Sequence, residues 1–305
     1  MSSPAQHRNV ALLGLGSMGA ALARSVAAAG HHLAVWSRTP RTPDDIGLGD
    51  DRQVVVAGSP AEAVQAAELV VICVRDHTAS RAIVEQIAAE AATAVLVNLS
   101  TATPAEAVAS AEHARALGLR YVTGAVMVPP PMVGTADCFV LYAGAPDDLR
   151  AADPVLTALG GTADVVGDDH AVPPALDLAM LDVYFAGMYA FLHSAALAAA
   201  HGIDAARYLP YAEGIVDTLR GTLPDLADAL QRRTYDGGEA RLDMCLAFLE
   251  HIVATSVEAG IRPGPTGVVR DASARAMQRW AGSTDWDVVA EDLVIGAPVA
   301  AVPSP

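Results

Sequence analysis

A chain of 305 residues is long enough for two domains, each with a core of its own. Its formal net charge of −16, with no basic run, excludes a nucleic-acid surface, because a phosphate backbone is held by clustered cations. It does not exclude a phosphorylated small molecule, since a few local arginines outweigh a distant acidic surface. All 19 basic side chains are arginine, and the chain has no lysine at all. Hydrophobic residues make up 52 % and aromatics only 5 %, so the cores are built largely of Ala, Val and Leu. Cys73, Cys138 and Cys245 are odd in number and widely spaced, which suits neither a disulfide framework nor a zinc site, and no metal is expected. No secretory leader and no run of about 18 uninterrupted apolar residues stands out, so the expectation is a cytoplasmic protein with no membrane partner.

In chain order, Asn9–Leu13 reads as a strand, Met18–Ala29 as a helix and His32–Trp36 as a second strand. Val54–Ala57, Leu69–Val74, Ala94–Leu99 and Arg120–Gly124 supply further strands, with helices starting near Ser59-Pro60, Thr78 and Thr103-Pro104. Cys138–Ala143 and Thr162–Val166 are two more strands flanking a helix at Pro146–Leu159. Alternation of nearly continuous apolar strands with helices indicates a mostly parallel sheet covered on both faces. After about residue 168 the pattern becomes helical. Val172 to His201 has one internal glycine, Gly187, which gives a helix of about 42 Å at about 1.5 Å per residue. Breaks follow at Gly202, Gly221–Pro224, Asp236–Gly238 and Gly260–Gly267. The expected division is an α/β domain over 1–168, an interdomain helix over 169–203, an all-α domain over 204–297 and a loose tail over 298–305, with a second loose stretch at Met1–Arg8.

Gly14-Leu15-Gly16-Ser17-Met18-Gly19 is a GxGxxG placed directly after a strand and opening a helix, the context that a dinucleotide loop requires. Gly14 makes the tight turn, Gly16 admits the pyrophosphate, and Gly19 lets helix and strand pack closely. The backbone N–H groups of Ser17 and Met18 lie where the helix dipole favours phosphate. The N-terminal domain is therefore expected to be a doubly wound Rossmann domain. An NAD site wants a carboxylate at the end of the second strand to hold the ribose 2′-hydroxyl. Here that position is Ser37, followed by Arg38, Thr39 and Arg41, which suit a 2′-phosphate. NADPH is the expected cofactor. Val74, Asn98, Ser100 and Thr101 lie at carboxyl ends of strands, where such sheets meet their ligands, and complete the expected cofactor set.

The glycine loop, Trp36–Pro40, Asn98–Thr101 and above all the proline-rich segment Gly124–Gly134 together resemble the imine reductases and reductive aminases, relatives of the β-hydroxyacid dehydrogenases. The resemblance continues through Ala175–Leu181 and Leu249–His251 and so runs along most of the chain. It implies a Rossmann domain joined by a long helix to a helical domain, and a homodimer whose two chains exchange helices around each active site. The β-hydroxyacid dehydrogenases use a lysine on the long helix, which this chain lacks. The imine reductases place an aspartate or a tyrosine there, and Asp177 matches it.

Reducing C=N needs a hydride and a proton on nitrogen, and the acceptor is cationic or becomes so. A carboxylate in a desolvated pocket steadies that charge, and a carboxyl whose pKa is raised by burial can donate the proton. At about 100° per residue Asp177, Met180, Leu181, Tyr184 and Met188 share one helix face, whereas Asp182 points about 140° away. That face is apolar with two polar tips, Asp177 and the Tyr184 hydroxyl, the expected catalytic pair. Met127, Met180, Leu181, Phe185, Met188, Met244 and Cys245 are the expected substrate pocket. The reductive aminases place a tyrosine two turns past the aspartate, where this chain has Phe185, a departure that weighs against efficient coupling of a free ketone and amine. His193, His201 and His251 show no paired-ligand spacing and are read as core or surface. Competing readings are a carbonyl or hydroxyacid oxidoreductase without the usual lysine, and a non-catalytic NADPH-binding sensor.

Overall fold

The computed structural model describes residues 7–293, apart from positions 50, 52, 237 and 239. The tail expected at 298–305 therefore lies outside the described residues, as do the first six positions. Arg8, expected in a loose stretch, is instead held by an ion pair with Glu68.

The chain divides into two compact units, Met1–Leu181 and Asp182–Pro305. The first opens with β1 (Asn9–Leu13), α1 (Ser17–Ala28), β2 (His32–Trp36), β3 (Val54–Val56), α2 (Pro60–Val64) and β4 (Leu69–Ile72). It continues through α3 (His77–Ile87), β5 (Val95–Asn98), α4 (Pro104–Ala116), β6 (Arg120–Val126), β7 (Phe139–Gly144), α5 (Pro146–Ala158) and β8 (Thr162–Val165). The eight strands form one sheet in the order β3-β2-β1-β4-β5-β6-β7-β8. Every pairing is parallel except β6 with β7. The connection between those two holds only a short helical turn at Pro130–Met132 and no crossover helix, and the chain turns back antiparallel. β1, β4 and β5 occupy the middle, and β4 and β5 are buried throughout, which accounts for their runs of β-branched residues and leucine. One core lies against α1 and α5, around Leu12, Leu22, Val71, Val97 and Tyr142. The other lies against α2, α3 and α4, around Leu13, Ile72, Ile87, Leu96 and Tyr121.

Helix starts follow capping chemistry. Ser59 accepts from Glu62 N–H, and Thr103 forms a reciprocal capping box with Glu106. The start expected at Thr78 is corrected: Asp76 is the cap, accepting from Ala79 N–H at 2.8 Å, so α3 begins at His77.

The remaining helices are α6 (Val172–Ala200), α7 (Ala205–Arg232), α8 (Leu242–Glu258) and α9 (Gly264–Ala276). The break expected at Gly221–Pro224 is not there, and α7 runs on through both Pro210 and Pro224. Its amino end is capped by Asp204, which accepts from Arg207 N–H at 2.8 Å. The core of the second unit is small, built on Leu242, Ala272, Ala276, Val288 and Val289. Trp286 closes it by donating its indole N–H to Ser273 Oγ at 3.0 Å. By length and composition α6 is also apolar enough to cross a membrane, with a mean hydropathy of 1.4. The aspartates at 177 and 182 interrupt the run.

Candidate active site

The glycine loop sits between β1 and α1, at the point where the strand order reverses between β1 and β4. Gly14 has φ +110° and donates its N–H to Trp36 O at 2.8 Å; a Cβ there would lie 2.1 Å from Cys73 O. A Cβ on Gly19 would lie 1.9 Å from Gly14 O. Both glycines are therefore demanded by the fold. Gly16 differs, because an added Cβ would meet nothing within 4 Å. It opens on clear space as the N-cap of α1, which has no capping side chain and no acid in its first turn. Ser17 beside it is exposed, while Met18 packs against the core. An uncapped helix end facing clear space, free of negative charge, fits a pyrophosphate.

On the turn after β2, Ser37 Oγ donates to Thr39 O at 2.6 Å and shapes the loop. Arg38, Thr39 and Arg41 are exposed, and neither arginine forms an ion pair among the described residues. Arg38 acts at a distance on the Asp76 carboxylate, which Ala79 N–H and Arg75 hold below the ordinary aspartate range. The loops after β2 and β4 thus share one electrostatic neighbourhood. The glycine loop closes on the same neighbourhood, since a Cβ on Gly14 would also lie 2.8 Å from Val74 Cγ1.

At the carboxyl ends of β4 and β5, Val74 N–H donates to Ser100 Oγ at 3.0 Å, and Thr101 beside it is exposed. The expected cofactor role of the Asn98 side chain is corrected. Asn98 is 0 % exposed, and its amide donates to Ser80 Oγ at 2.8 Å and to Tyr121 Oη at 2.7 Å, while its carbonyl accepts from Ser100 N–H at 3.0 Å. Nothing on that side chain is left for a ligand. Sequence reading missed His77, Ser80, Ser110 and Tyr121, all buried beneath this loop. The available signal was a histidine and two serines on core-facing positions of α3 and α4, among alanine, valine and isoleucine.

Asp177 is 6 % exposed and has no hydrogen-bond or ion-pair partner among the described residues. Burial alone pushes its carboxyl above the ordinary aspartate pKa. It lies five residues beyond Val172, where α6 starts, inside the helix and not on its capping turn. Met127 is half-buried and Leu181 partly so, while Met180 is exposed. In the second unit Tyr184 and Phe185 are exposed and meet edge to face, with ring centroids 5.8 Å apart. Met188 and Met244 are exposed, Cys245 is half-buried, and Asp182 is exposed as expected. His193 Nε2 lies 2.9 Å from Arg262 O and ties α6 to the turn before α9.

Residues 9–167 match the family described as the NAD binding domain of 6-phosphogluconate dehydrogenase. Residues 169–294 match the family described as NADPH-dependent reductive aminase-like, C-terminal domain. An NADPH-dependent reductive aminase of Aspergillus oryzae is 28 % identical over 255 residues, covering 82 % of this chain and 85 % of that protein. Among solved structures, an imine reductase from Bacillus cereus superposes with a TM-score of 0.81 at 30 % identity, covering 93 % of this chain and 98 % of that one. A reductive aminase from Aspergillus terreus, in complex with NADPH4, cyclohexanone and allyl amine, superposes with a TM-score of 0.85 at 28 % identity, covering 95 % and 100 %.

Proposed function

The chain belongs to the imine reductase and reductive aminase family, an NADPH-dependent imine-reducing oxidoreductase, and on that premise we propose that Asp177 handles the proton or the positive charge of the reaction. When bound, NADPH would supply the hydride for the C=N carbon. The Gly14–Gly19 loop and the amino end of α1 would hold its pyrophosphate, and Arg38 with Thr39 and Arg41 would take the 2′-phosphate. The observation that carries the proposal is a carboxyl 6 % exposed, unpartnered among the described residues and raised in pKa by burial. Such a group either keeps a proton on Oδ until the substrate nitrogen needs it or, once ionised, steadies an iminium in a site cleared of water.

Tyr184 is proposed as the second polar group, and Met127, Met180, Leu181, Phe185, Met188, Met244 and Cys245 as substrate-facing apolar residues. The homodimer with exchanged helices, the cytoplasmic location and the division at 168 and 203 belong to the same proposal. The missing lysine argues against hydroxyacid oxidation, which needs a proton shuttle of that kind.

The test follows NADPH absorbance with a simple cyclic imine such as a pyrroline, with Asp177→Ala alongside and a β-hydroxyacid plus NADP⁺ as control. We expect imine-dependent oxidation that falls by about 10²–10⁴-fold in the variant, the range for a lost general acid. Turnover that survives the substitution would move the proton to another residue, and turnover confined to the hydroxyacid would overturn the reaction class.

A further inference from the structure

Six polar side chains lie buried under the carboxyl ends of β4 and β5: Ser80 and Asn98 at 0 % exposure, His77 at 2 %, Ser110 at 3 %, and Tyr121 and Ser100 at 5 %. Each buried polar group must find a partner or cost about 1–3 kcal/mol, so the cluster is fixed by its own donor and acceptor count. His77 Nε2 lies 3.1 Å from Ser100 O, and a carbonyl only accepts, so Nε2 carries the hydrogen. In the neutral ring Nδ1 is then the acceptor, and Ser110 Oγ, 2.8 Å away, donates to it. Glu106 O, 3.3 Å from Nδ1, is the more distant neighbour. The Tyr121 oxygen accepts from the Asn98 amide at 2.7 Å. Asn98 Oδ1 accepts from Ser100 N–H at 3.0 Å.

Followed in the donor direction, two short chains of hydrogen bonds meet at Ser100. One runs from Ser100 N–H to Asn98 and from Asn98 to Tyr121, the other from Ser110 to His77 and from His77 to the Ser100 carbonyl. This open circuit grips the peptide groups on both sides of Ser100. Ser100 Oγ meanwhile accepts from Val74 N–H at 3.0 Å. Val74 packs against Gly14, so the outer end of the circuit is the cofactor loop.

We propose that His77, with Ser110 behind it, is a positioning residue for NADPH: through the Ser100 carbonyl it fixes the Val74–Ser100 pair against the glycine loop, and so sets cofactor affinity without touching the cofactor. The proposal rests on reading Val74 and Ser100 as cofactor-side residues.

The experiment titrates NADPH fluorescence against the purified full chain and its His77→Phe, His77→Gln, Ser110→Ala and Ser100→Ala variants. Thermal unfolding and imine turnover are measured on each. Losing one hydrogen bond of about 0.5–1.5 kcal/mol should raise the NADPH Kd about 3–10-fold in His77→Phe and Ser110→Ala. KM for NADPH should follow, with kcat at saturating NADPH within about twofold, because the lost energy lies in cofactor binding. His77→Gln, which keeps an N–H for the Ser100 carbonyl, should recover most of the affinity. Unchanged affinity in a folded Ser110→Ala, with His77→Phe also unchanged or unfolded, makes the circuit scaffolding and overturns the proposal. So does a loss of affinity that tracks melting temperature and is not relieved by glutamine. If Ser100→Ala binds NADPH as the parent does, the cofactor-side reading of that loop fails instead. If Ser100→Ala weakens binding while His77 variants do not, only the positioning role fails.

Discussion

Arg38 and Arg41 are exposed and form no ion pair among the described residues, on the turn where an NAD enzyme would carry a carboxylate. A guanidinium in that position gains a charge-assisted hydrogen bond only when the cofactor carries a 2′-phosphate. Arg38→Ala should therefore raise KM for NADPH about 10–100-fold, from about 1.5–3 kcal/mol of lost interaction, and leave KM for NADH nearly unchanged. Equal losses with both cofactors would remove the arginine from the phosphate. The arginine is legible in the sequence because its chemistry follows directly from its place after a strand. Asn98 was misread by the same logic: the end of a strand was located correctly, but whether the side chain faces solvent or the layer beneath depends on Ser80 and Tyr121, which arrive from α3 and β6. The place of Asp177 near the start of a long helix can be read from the sequence, whereas its burial and its lack of a partner among the described residues are properties of the folded chain alone.

The elements recovered from pattern were those whose signals are local. The glycine loop, the alternation of strands and helices and the capping box at Thr103 all sit within a few residues of the feature they specify. α7 was divided at Gly221–Pro224 because glycine and proline punctuate most chains. Its continuation through Pro210 and Pro224 is a tertiary outcome that no local rule contains. The anchoring of α6 was also invisible. His170, two residues before that helix, lies with Nδ1 2.9 Å from Thr123 Oγ1 on β6 and meets the Tyr121 ring edge-on at 5.9 Å. Burial lowers its pKa below the ordinary 6.5; Arg115 acts in the same direction and Asp169, Asp168 and Asp148 act against it. The folded state thus prefers the neutral ring, while the unfolded chain takes up a proton near pH 6.5. Stability from this group is fully present above pH 6.5 and is lost as the pH falls through it. His31, lowered first by its burial, acts in the same sense. The melting temperature should fall on acidification below about 6.5, and His170→Asn, which keeps a hydrogen-bonding partner for Thr123, should flatten that fall. An unchanged slope in the variant would assign the pH dependence to other groups.

At the scale of the molecule, the second unit has too little core for the apolar surface that it displays. Val183 on α6 is 67 % exposed and Leu192 is 63 %, and Ile215, Val216 and Leu219 on α7 are exposed as well. Monomeric proteins rarely show apolar patches of such extent, which supports the proposal that this surface is covered by a partner. A bilayer is the poorer partner, because Asp182 is exposed on the same helix and α7 carries acids and arginines along its length. A second copy meets the requirement, since identical apolar helices complement one another across a twofold axis. Covering aliphatic side chains is worth about 25 cal/mol per Å², and a buried unpaired carboxylate costs several kcal/mol. A double substitution, Val183→Asp with Leu192→Asp, should therefore weaken self-association by about 10³-fold or more in sedimentation measurements. The Rossmann unit should keep its NADPH affinity in that variant, because its glycine loop and Arg38 belong to the first unit, while imine turnover should collapse with the dimer. The outcome that sinks the idea is a wild-type chain that sediments as a monomer at micromolar concentration and still turns over imine. Partition of the wild-type chain into detergent or vesicles would return α6 to the membrane.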